Sequence, residues 1–355
     1  MQRTLIALTP LLMGSMTGLF AEEDILPETY KRKGQGMEAS GIVSPPSRFQ
    51  VEDGWNIFLN GEFLWWVAQE DDLFYVQGGS EGTTIANPPD GSVNYEGHLK
   101  KIDPHWKPGF RAGIGGNMPY DEWDIFLSWT YYHSHAQDFA HGSLIALWAH
   151  PDVIGATPVH SAKASWHLNY NLLDLELGRS FWVGKHLSIR PFFGGRAAWI
   201  DQALKIRYRF NIAPEITTKT RVENDFEGGG IRAGLDTRFA LLHGWSFYGL
   251  ASFSLLYGHF DCDFHLKENH ILVAKSDDDF HNGISNSQLA FGIRWDTYFS
   301  RLRYHLGLYA GWEQNIWFGI NKMNRFDQNL QMGSLEKNNG NLSLQGGTFG
   351  ARFDF

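Results

Sequence analysis

Residues 54–355 repeat one pattern, in which apolar and polar side chains alternate over about ten residues and a turn or a long polar stretch follows. The last segment, residues 341–355, keeps this alternation to its end and finishes on Phe355. A strand in a membrane barrel shows one face to lipid and the other to the lumen, so its apolar residues recur with a period of two. The pattern therefore predicts membrane-crossing strands, with Phe349, Phe353 and Phe355 on the lipid-facing stripe of the last one.

The aromatic ending is a second indication. It is similar to the C-terminal signature by which bacterial outer-membrane barrels are recognised for assembly, so Phe349, Phe353 and Phe355 are predicted to form a signal for the barrel assembly machinery. An edge strand of a soluble sheet would alternate in the same way. The choice between the two therefore depends on the rest of the chain.

Ten alternating segments are present, at residues 55–69, 110–115, 123–131, 173–177, 187–199, 231–239, 245–257, 289–299, 306–312 and 341–355. Short turns and long polar loops follow them in turn, as in outer-membrane barrels with periplasmic turns and extracellular loops. The predicted fold is all-β: a transmembrane antiparallel up-and-down β-barrel of about ten strands, with both chain ends in the periplasm. Residues 205–210 and 266–274 also alternate, so a count of twelve strands stays open.

The beginning of the chain predicts export. Residues 1–21 combine a basic start, a short apolar stretch and small residues, which is typical of a secretory signal peptide. Residues 22–53 are rich in Gly, Ser, Pro and charge and are predicted to be a flexible periplasmic segment. The barrel then occupies residues 54–355, and the predicted location is the bacterial outer membrane.

Composition agrees with this class. The 355 residues include 39 Gly, 26 Phe, 14 Trp and 13 Tyr, yet the mean hydropathy is only -0.31. Barrels combine these properties because half of each strand is polar while aromatic residues gather at the two interfaces. The net charge of -9 gives no basic footprint for nucleic acid, and the single Cys262 excludes an intrachain disulfide.

The polar face of each predicted strand would line the lumen, where substitutions tune passage. Its two signs of charge nearly balance, which favours ion pairs between neighbouring strands. The predicted pore-lining residues are Glu62, Arg111, Asp124, Asp174, Glu176, Arg190, Arg196, Arg232, Asp236, Arg238, Arg294, Asp296 and Glu313, and Arg179 falls in the same inward set. About eight strands are filled by side chains and sixteen or more leave a channel, so ten are compatible with a narrow channel or with a closed interior.

Four stretches resemble a known family. Residues 106–115 (WKPGFRAGIG), 123–130 (WDIFLSWT), 174–179 (DLELGR) and 190–196 (RPFFGGR) are similar to blocks of the Legionella-type major outer membrane proteins, which also occur in chlamydia-related bacteria. The resemblance runs from about Asp53 to Phe355. It implies a pore-forming protein with porin-like diffusion of small solutes, and it brings no catalytic residue to this chain.

Other chemistry is weakly indicated. Gly78 to Gly82 matches G-x-S-x-G but lies in a polar loop and not at a strand-to-helix turn. His133, His135, His141, His150 and His160 are irregularly spaced, so no metal site is predicted, and no cofactor is expected.

The chain is therefore predicted to be a porin for small hydrophilic solutes or ions and not an enzyme. A closed structural or adhesive barrel is the alternative, and an outer-membrane hydrolase ranks below both. The apolar run 143–148 could bind a host surface or fold into the lumen as a constriction. The predicted partners are outer-membrane lipid, the barrel assembly machinery, the solutes and a second copy of the chain, and nucleic acid is not among them.

Overall fold

The computed structural model describes residues 47–49, 51, 56–78, 98–118, 123–149, 159–210, 216–326 and 335–355. The fifteen strands in these ranges are β1 (Ile57–Glu70), β2 (Phe74–Gln77), β3 (Leu99–Lys101), β4 (Lys107–Asn117), β5 (Trp123–Ala146), β6 (Val159–Arg179), β7 (Phe181–Trp182), β8 (Leu187–Phe210), β9 (Ile216–Ala240), β10 (Trp245–Glu268), β11 (Ile271–Phe299), β12 (Tyr304–Asn321), β13 (Asn324–Phe326), β14 (Leu335–Lys337) and β15 (Gly340–Asp354). No helix in these ranges is long and apolar enough to cross a membrane.

Ten of the strands form a closed antiparallel barrel in the order β1, β4, β5, β6, β8, β9, β10, β11, β12 and β15. β15 returns to β1, with Phe353 opposite Leu59 and Phe349 opposite Phe63. The predicted all-β fold and the count of ten are confirmed, and the last strand closes the barrel by pairing with the first. β2 and β3 extend β5 at one end, β7 pairs with β8, and β13 and β14 form a separate two-stranded sheet.

The side chains that face outward from the half of the barrel nearer the short periplasmic turns are apolar. On β10 they run from Trp245 through Phe247 and Phe253 to Tyr257, and Phe349 of β15 is 53% exposed. In water this surface would be costly, whereas in lipid it is the stable arrangement. It forms the lipid-facing band that the period of two predicts.

On the extracellular side of this band, the polarity of the inner and outer faces of the strands is reversed. On β8, Trp199 is the last large apolar residue facing outward, and from Ile200 onward the apolar residues face inward while Lys205 and Arg207 face outward. The same inversion occurs on β9 and β10. The strands therefore continue beyond the membrane as a water-exposed extension with a dry interior.

The extension accounts for most of the chain predicted as extracellular loops. Residues 205–210 are the upper end of β8, and residues 266–274 span the turn that joins β10 to β11, so neither adds a strand to the barrel. The predicted signal peptide and most of the predicted segment 22–53 lie outside the described residues, as do Gly79 to Gly82 of the G-x-S-x-G match.

Four aspartates stand directly opposite one another on the outside of the extension. Asp201 of β8 faces Asp225 of β9, which faces Asp261 of β10, which in turn faces Asp279 of β11. Burial, and then the charge of Asp201, raise the pKa of Asp225 to about 6. Glu223 and Asp261 make smaller contributions to the same rise in pKa, so the ionised Asp225 is disfavoured in the folded state.

A raised carboxyl pKa reduces stability once the group ionises, so folding loses free energy as the pH rises from about 4 through 6. Asp225→Asn is expected to raise the free energy of unfolding by about 1 kcal/mol at pH 7, after allowance for screening by water, and to have little effect at pH 4. Thermal unfolding in detergent at both pH values measures this. Asp103→Asn, at an exposed site before β4, is the control, and a lower midpoint for Asp225→Asn at pH 7 would contradict the expectation.

Two neighbouring glycines of β8 test how closely the strands approach. A Cβ at Gly194 would lie 1.8 Å from the carbonyl oxygen of Leu175 on β6, whereas a Cβ at Gly195 would lie 3.7 Å from that of Gly230. Gly194→Ala is expected to destabilise the barrel by at least about 2 kcal/mol, and Gly195→Ala by much less. Heat-dependent gel mobility and thermal unfolding of the two variants measure the difference, and equal behaviour would show that the close approach has no cost.

Candidate functional site

The thirteen predicted pore-lining residues all lie on the inner wall of the barrel. They reach it because each occupies the parity opposite to the lipid-facing residues of its strand. The prediction that Arg179 faces inward is wrong. Arg179 stands opposite Trp123 on the outward parity of β6, and Gly178 faces inward instead. The alternation of Leu173, Leu175 and Leu177 already gives residue 179 the outward parity, so the error came from grouping Arg179 by its charge and not by its place in the alternation.

A continuous row of polar side chains crosses the lumen. Arg196 donates to Asp174 at 2.6 Å and to the amide oxygen of Gln288 at 3.1 Å, although β8 and β11 are not neighbours. Gln288 donates in turn to Glu313 at 2.7 Å. Arg111 continues the row by donating to Glu313 at 2.7 Å and to Glu62 at 2.6 Å.

We call this row from Asp174 to Glu62 the crossbar. It joins six strands of the barrel, and Arg232 strengthens it by donating to Gln288 at 2.8 Å. Charged hydrogen bonds of this kind are short and stable in a buried site where every partner is satisfied. The crossbar therefore divides the lumen into two parts at membrane depth.

The periplasmic part contains a polar cavity of about 260 Å³. Arg190 lies in its wall and donates to Asp236 at 2.7 Å, to Asp124 at 3.0 Å and to Glu176 at 3.1 Å. Tyr309 lies on the opposite wall, where its hydroxyl donates to Glu62 at 2.7 Å. Both signs of charge line the cavity, so water and small ions of either sign are compatible with it.

The periplasmic mouth of the barrel is occupied by residues from ahead of the first strand. The ring of Phe49 stacks on His305 at a centroid distance of 3.8 Å, and the guanidinium groups of Arg238, Arg294 and Arg352 lie 4.5, 4.9 and 5.6 Å from its centroid. Each contact is attractive, because cations favour the face of an aromatic ring. Phe49 therefore occludes the periplasmic mouth of the barrel.

The same short segment is tied to the barrel wall. The Ser47 hydroxyl lies 2.7 Å from that of Ser188, Arg48 donates to the carbonyl of Met118 at 3.1 Å, and Arg238 donates to the carbonyl of Ser47 at 3.0 Å. Residues 22–53 are predicted to be flexible, and residues 47–49 differ because the polar rim of the mouth holds them.

The part of the lumen beyond the crossbar is filled with apolar side chains. Trp66, Trp148, Trp166 and Trp317 are fully buried there, together with tyrosines such as Tyr75. Trp148 is 1% exposed, and its indole donates to the carbonyl of Phe74 at 2.6 Å. Within the run 143–148, Leu144, Ala146 and Trp148 are buried in this layer, whereas Ser143, Ile145 and Leu147 are half-buried.

Several luminal residues could not be assigned from sequence. Gln288 and Tyr309 are uncharged and give no signal beyond inward parity, yet Gln288 joins Arg196 to Glu313, and the Tyr309 hydroxyl lies within hydrogen-bond distance of Asn60 and Glu62. Phe49 lies outside the strands, where no periodicity applies. His305 could have been found by its inward position, but its pairing with Asp296 and Asp354 could not.

His305 is the titratable group closest to a catalytic arrangement. Its Nδ1 lies 2.6 Å from Asp354 and its Nε2 lies 3.0 Å from Asp296, so both ring nitrogens are engaged by carboxylates. A general base needs one nitrogen free to accept a proton from a nucleophile. Among the described residues, no group of three or more His, Cys, Asp and Glu side chains could hold a metal ion.

The closed barrel, its lipid-facing band and its paired luminal charges define an integral β-barrel protein of the bacterial outer membrane. The chain belongs to the Legionella pneumophila major outer membrane protein family, whose model matches residues 50–355. The predicted family is thus confirmed over nearly the whole chain, and outer-membrane localisation with it.

No curated protein matches the chain. Among solved structures it is similar to a Pseudomonas aeruginosa FadL homologue, at 8% identity and a TM-score of 0.27 over 84% of this chain and 89% of that one. It is also similar to the Pseudomonas putida toluene transporter TodX, at 8% identity and a TM-score of 0.24 over 85% of this chain and 90% of that one. A third similar structure is OmpT of Vibrio cholerae, at 9% identity and a TM-score of 0.17 over 86% of this chain and 100% of that one. At these scores the shapes diverge, and the three structures carry no functional argument.

The crossbar provides a test of stability. Arg196→Met leaves Asp174 buried with one cation fewer, so the free energy of unfolding is expected to fall by about 3 kcal/mol. Arg221→Gln removes the exposed pair with Glu223 and is expected to cost less than about 1 kcal/mol. Denaturant unfolding of both variants in detergent measures the two costs. Equal losses would show that the crossbar is no more stable than a surface pair.

Proposed function

We propose that the protein is a narrow, gated porin that lets small hydrophilic solutes or ions diffuse through the outer membrane. The observation that carries this proposal is the polar cavity at membrane depth. A barrel needed only as a closed wall could fill this level with apolar side chains, which avoids the cost of burying charge. Here charges of both signs surround an unfilled space.

The crossbar would limit the size of the solute. Its residues project from rigid strands and satisfy one another, so they hold a fixed constriction through which only water and small solutes pass. The near balance of charge along the wall favours weak selectivity between cations and anions.

Two elements would act as gates, because both belong to segments outside the barrel strands. Phe49 closes the periplasmic mouth, and Trp148, which follows the end of β5, lies in the apolar layer on the extracellular side. Because Phe49 and Trp148 both lie inside the lumen, opening would require both elements to move.

A closed structural or adhesive barrel is the second candidate. The apolar layer and the long extension beyond the membrane support it, since both give a rigid surface outside the cell. A hydrolase is not proposed, because both nitrogens of His305 are engaged and the chain supplies no nucleophile beside it among the described residues. Use of the assembly machinery and association into homo-oligomers stay predictions.

Conductance in planar bilayers separates the first two candidates. Phe49→Ala removes stacking and cation–π contacts worth about 2 kcal/mol, so the periplasmic gate is expected to open roughly 30-fold more often. Trp148→Ala is expected to loosen the extracellular layer, and the double variant to conduct more than either single one. Phe247→Ala, on the lipid-facing band, is the control and should match the unmodified protein.

Heat-dependent gel mobility establishes in each case that the barrel is folded. A folded double variant without discrete conductance would overturn the porin and leave the closed barrel.

A further inference from the structure

The outer face of the extension carries two rows of basic residues above the aspartates. In the first row, Lys163 of β6 stands opposite Arg207 of β8, Arg207 opposite Lys219 of β9, and Lys219 opposite Lys267 of β10. The second row, two residues closer to the membrane, contains Lys205, Arg221, His265 and Lys275 in the same mutual register. We call these eight residues the basic rows.

Such a register is unfavourable by itself, because like charges directly opposite on neighbouring strands repel. Among the residues that the structure describes, Lys163, Arg207, Lys219 and Lys267 form no ion pair. In the second row, Arg221 pairs with Glu223, and Lys275 lies 3.9 Å from Asp277. The first row therefore presents four cations whose repulsion an external anion would relieve.

The surface beside these cations is concave. A groove of about 650 Å³ is lined by Lys163, Lys205, Arg207, Lys219 and Lys267, with Ser165 adding a hydroxyl. The one carboxylate in its wall, Glu223, is paired with Arg221. Cations and a hydroxyl along a groove suit a chain of sugars carrying phosphate or carboxylate groups, which charge-assisted hydrogen bonds would hold.

The distance between the groove and the membrane indicates which molecule could supply that ligand. On β8, Lys205 of the second row lies six residues beyond Trp199, the last large apolar residue facing outward, and at about 3.3 Å per residue and a tilt of about 40° this places it about 15 Å above the apolar band. The headgroup layer of a leaflet is only roughly 5–8 Å thick. Phospholipid headgroups therefore do not reach the basic rows, and the row of aspartates that lies between would repel them.

The basic rows also face sideways from the barrel wall, toward molecules that stand beside the protein in the same membrane. We propose that they bind the anionic saccharide part of the glycolipid that surrounds the barrel in the outer leaflet, at the level of its sugar chain and not of its lipid anchor. This would fix the extension against the cell's own surface layer.

The test uses the full chain in detergent micelles and purified lipopolysaccharide with a complete core as the probe. Arg207→Gln/Lys219→Gln removes the two central cations of the first row, and binding is expected to weaken roughly 30-fold and to fall with added salt. Lys185→Gln/Arg301→Gln removes the same charge from periplasmic turns and is the matched control. Heat-dependent gel mobility confirms that both variants are folded.

Two further arms decide the source. Lipopolysaccharide truncated to its lipid anchor and first sugars is expected to bind as weakly to the unmodified protein as the complete form does to the variant. Equal binding of the truncated and complete forms would overturn the proposal, as would an unchanged affinity of the variant. Binding of a soluble sulfated polysaccharide without binding of lipopolysaccharide would assign the groove to a ligand from outside the cell instead.

Discussion

The hydrogen bonds between β1 and β15 are the constraint on which the rest of the structure depends. In a hydrocarbon layer no water satisfies backbone groups, so a sheet can cross it only if its two edges meet. Ile57 and Phe355 exchange backbone hydrogen bonds of 3.3 and 3.0 Å at the point of closure. Closure with ten strands gives a lumen narrow enough for side chains of opposite walls to touch. The crossbar exists because of this width, since Arg196 reaches Gln288 across the interior.

The inversion of polarity along the strands follows from a change of solvent. In the membrane the outside is apolar and the lumen is wet, whereas above it the outside is wet and the interior is dry. Residues 205–210 show the consequence, because their alternation is as regular as that of a membrane strand but has the opposite parity. Alternation alone does not distinguish an additional strand from a membrane strand that continues beyond the membrane into water. This is why strand number was predictable from sequence while strand length was not.

The luminal site also has features that could be predicted from the sequence and features that could not. The period of two predicted which charged residues face inward, and the structure places all thirteen there. It could not predict that Arg190 meets Asp124, or that Glu313 joins Arg111 to Gln288, because parity fixes a face and not the height or the azimuth on the barrel. The position of Phe49 could not be predicted, since it depends on the rim of the barrel that binds this residue and not on any sequence pattern.

Charge is distributed by opposite rules inside and outside the barrel. In the lumen, burial makes an unpaired charge expensive, so Arg196 and Arg232 are each held by carboxylates and amides. On the extension, water screens repulsion, and Asp225 or Arg207 can stand opposite residues of their own sign at a small cost. The pairing of the luminal charges is therefore explained by folding, and the pairing itself is weak evidence of function. The unpaired cations outside and the unfilled cavity inside are not required by folding, and it is these two features that a function must explain.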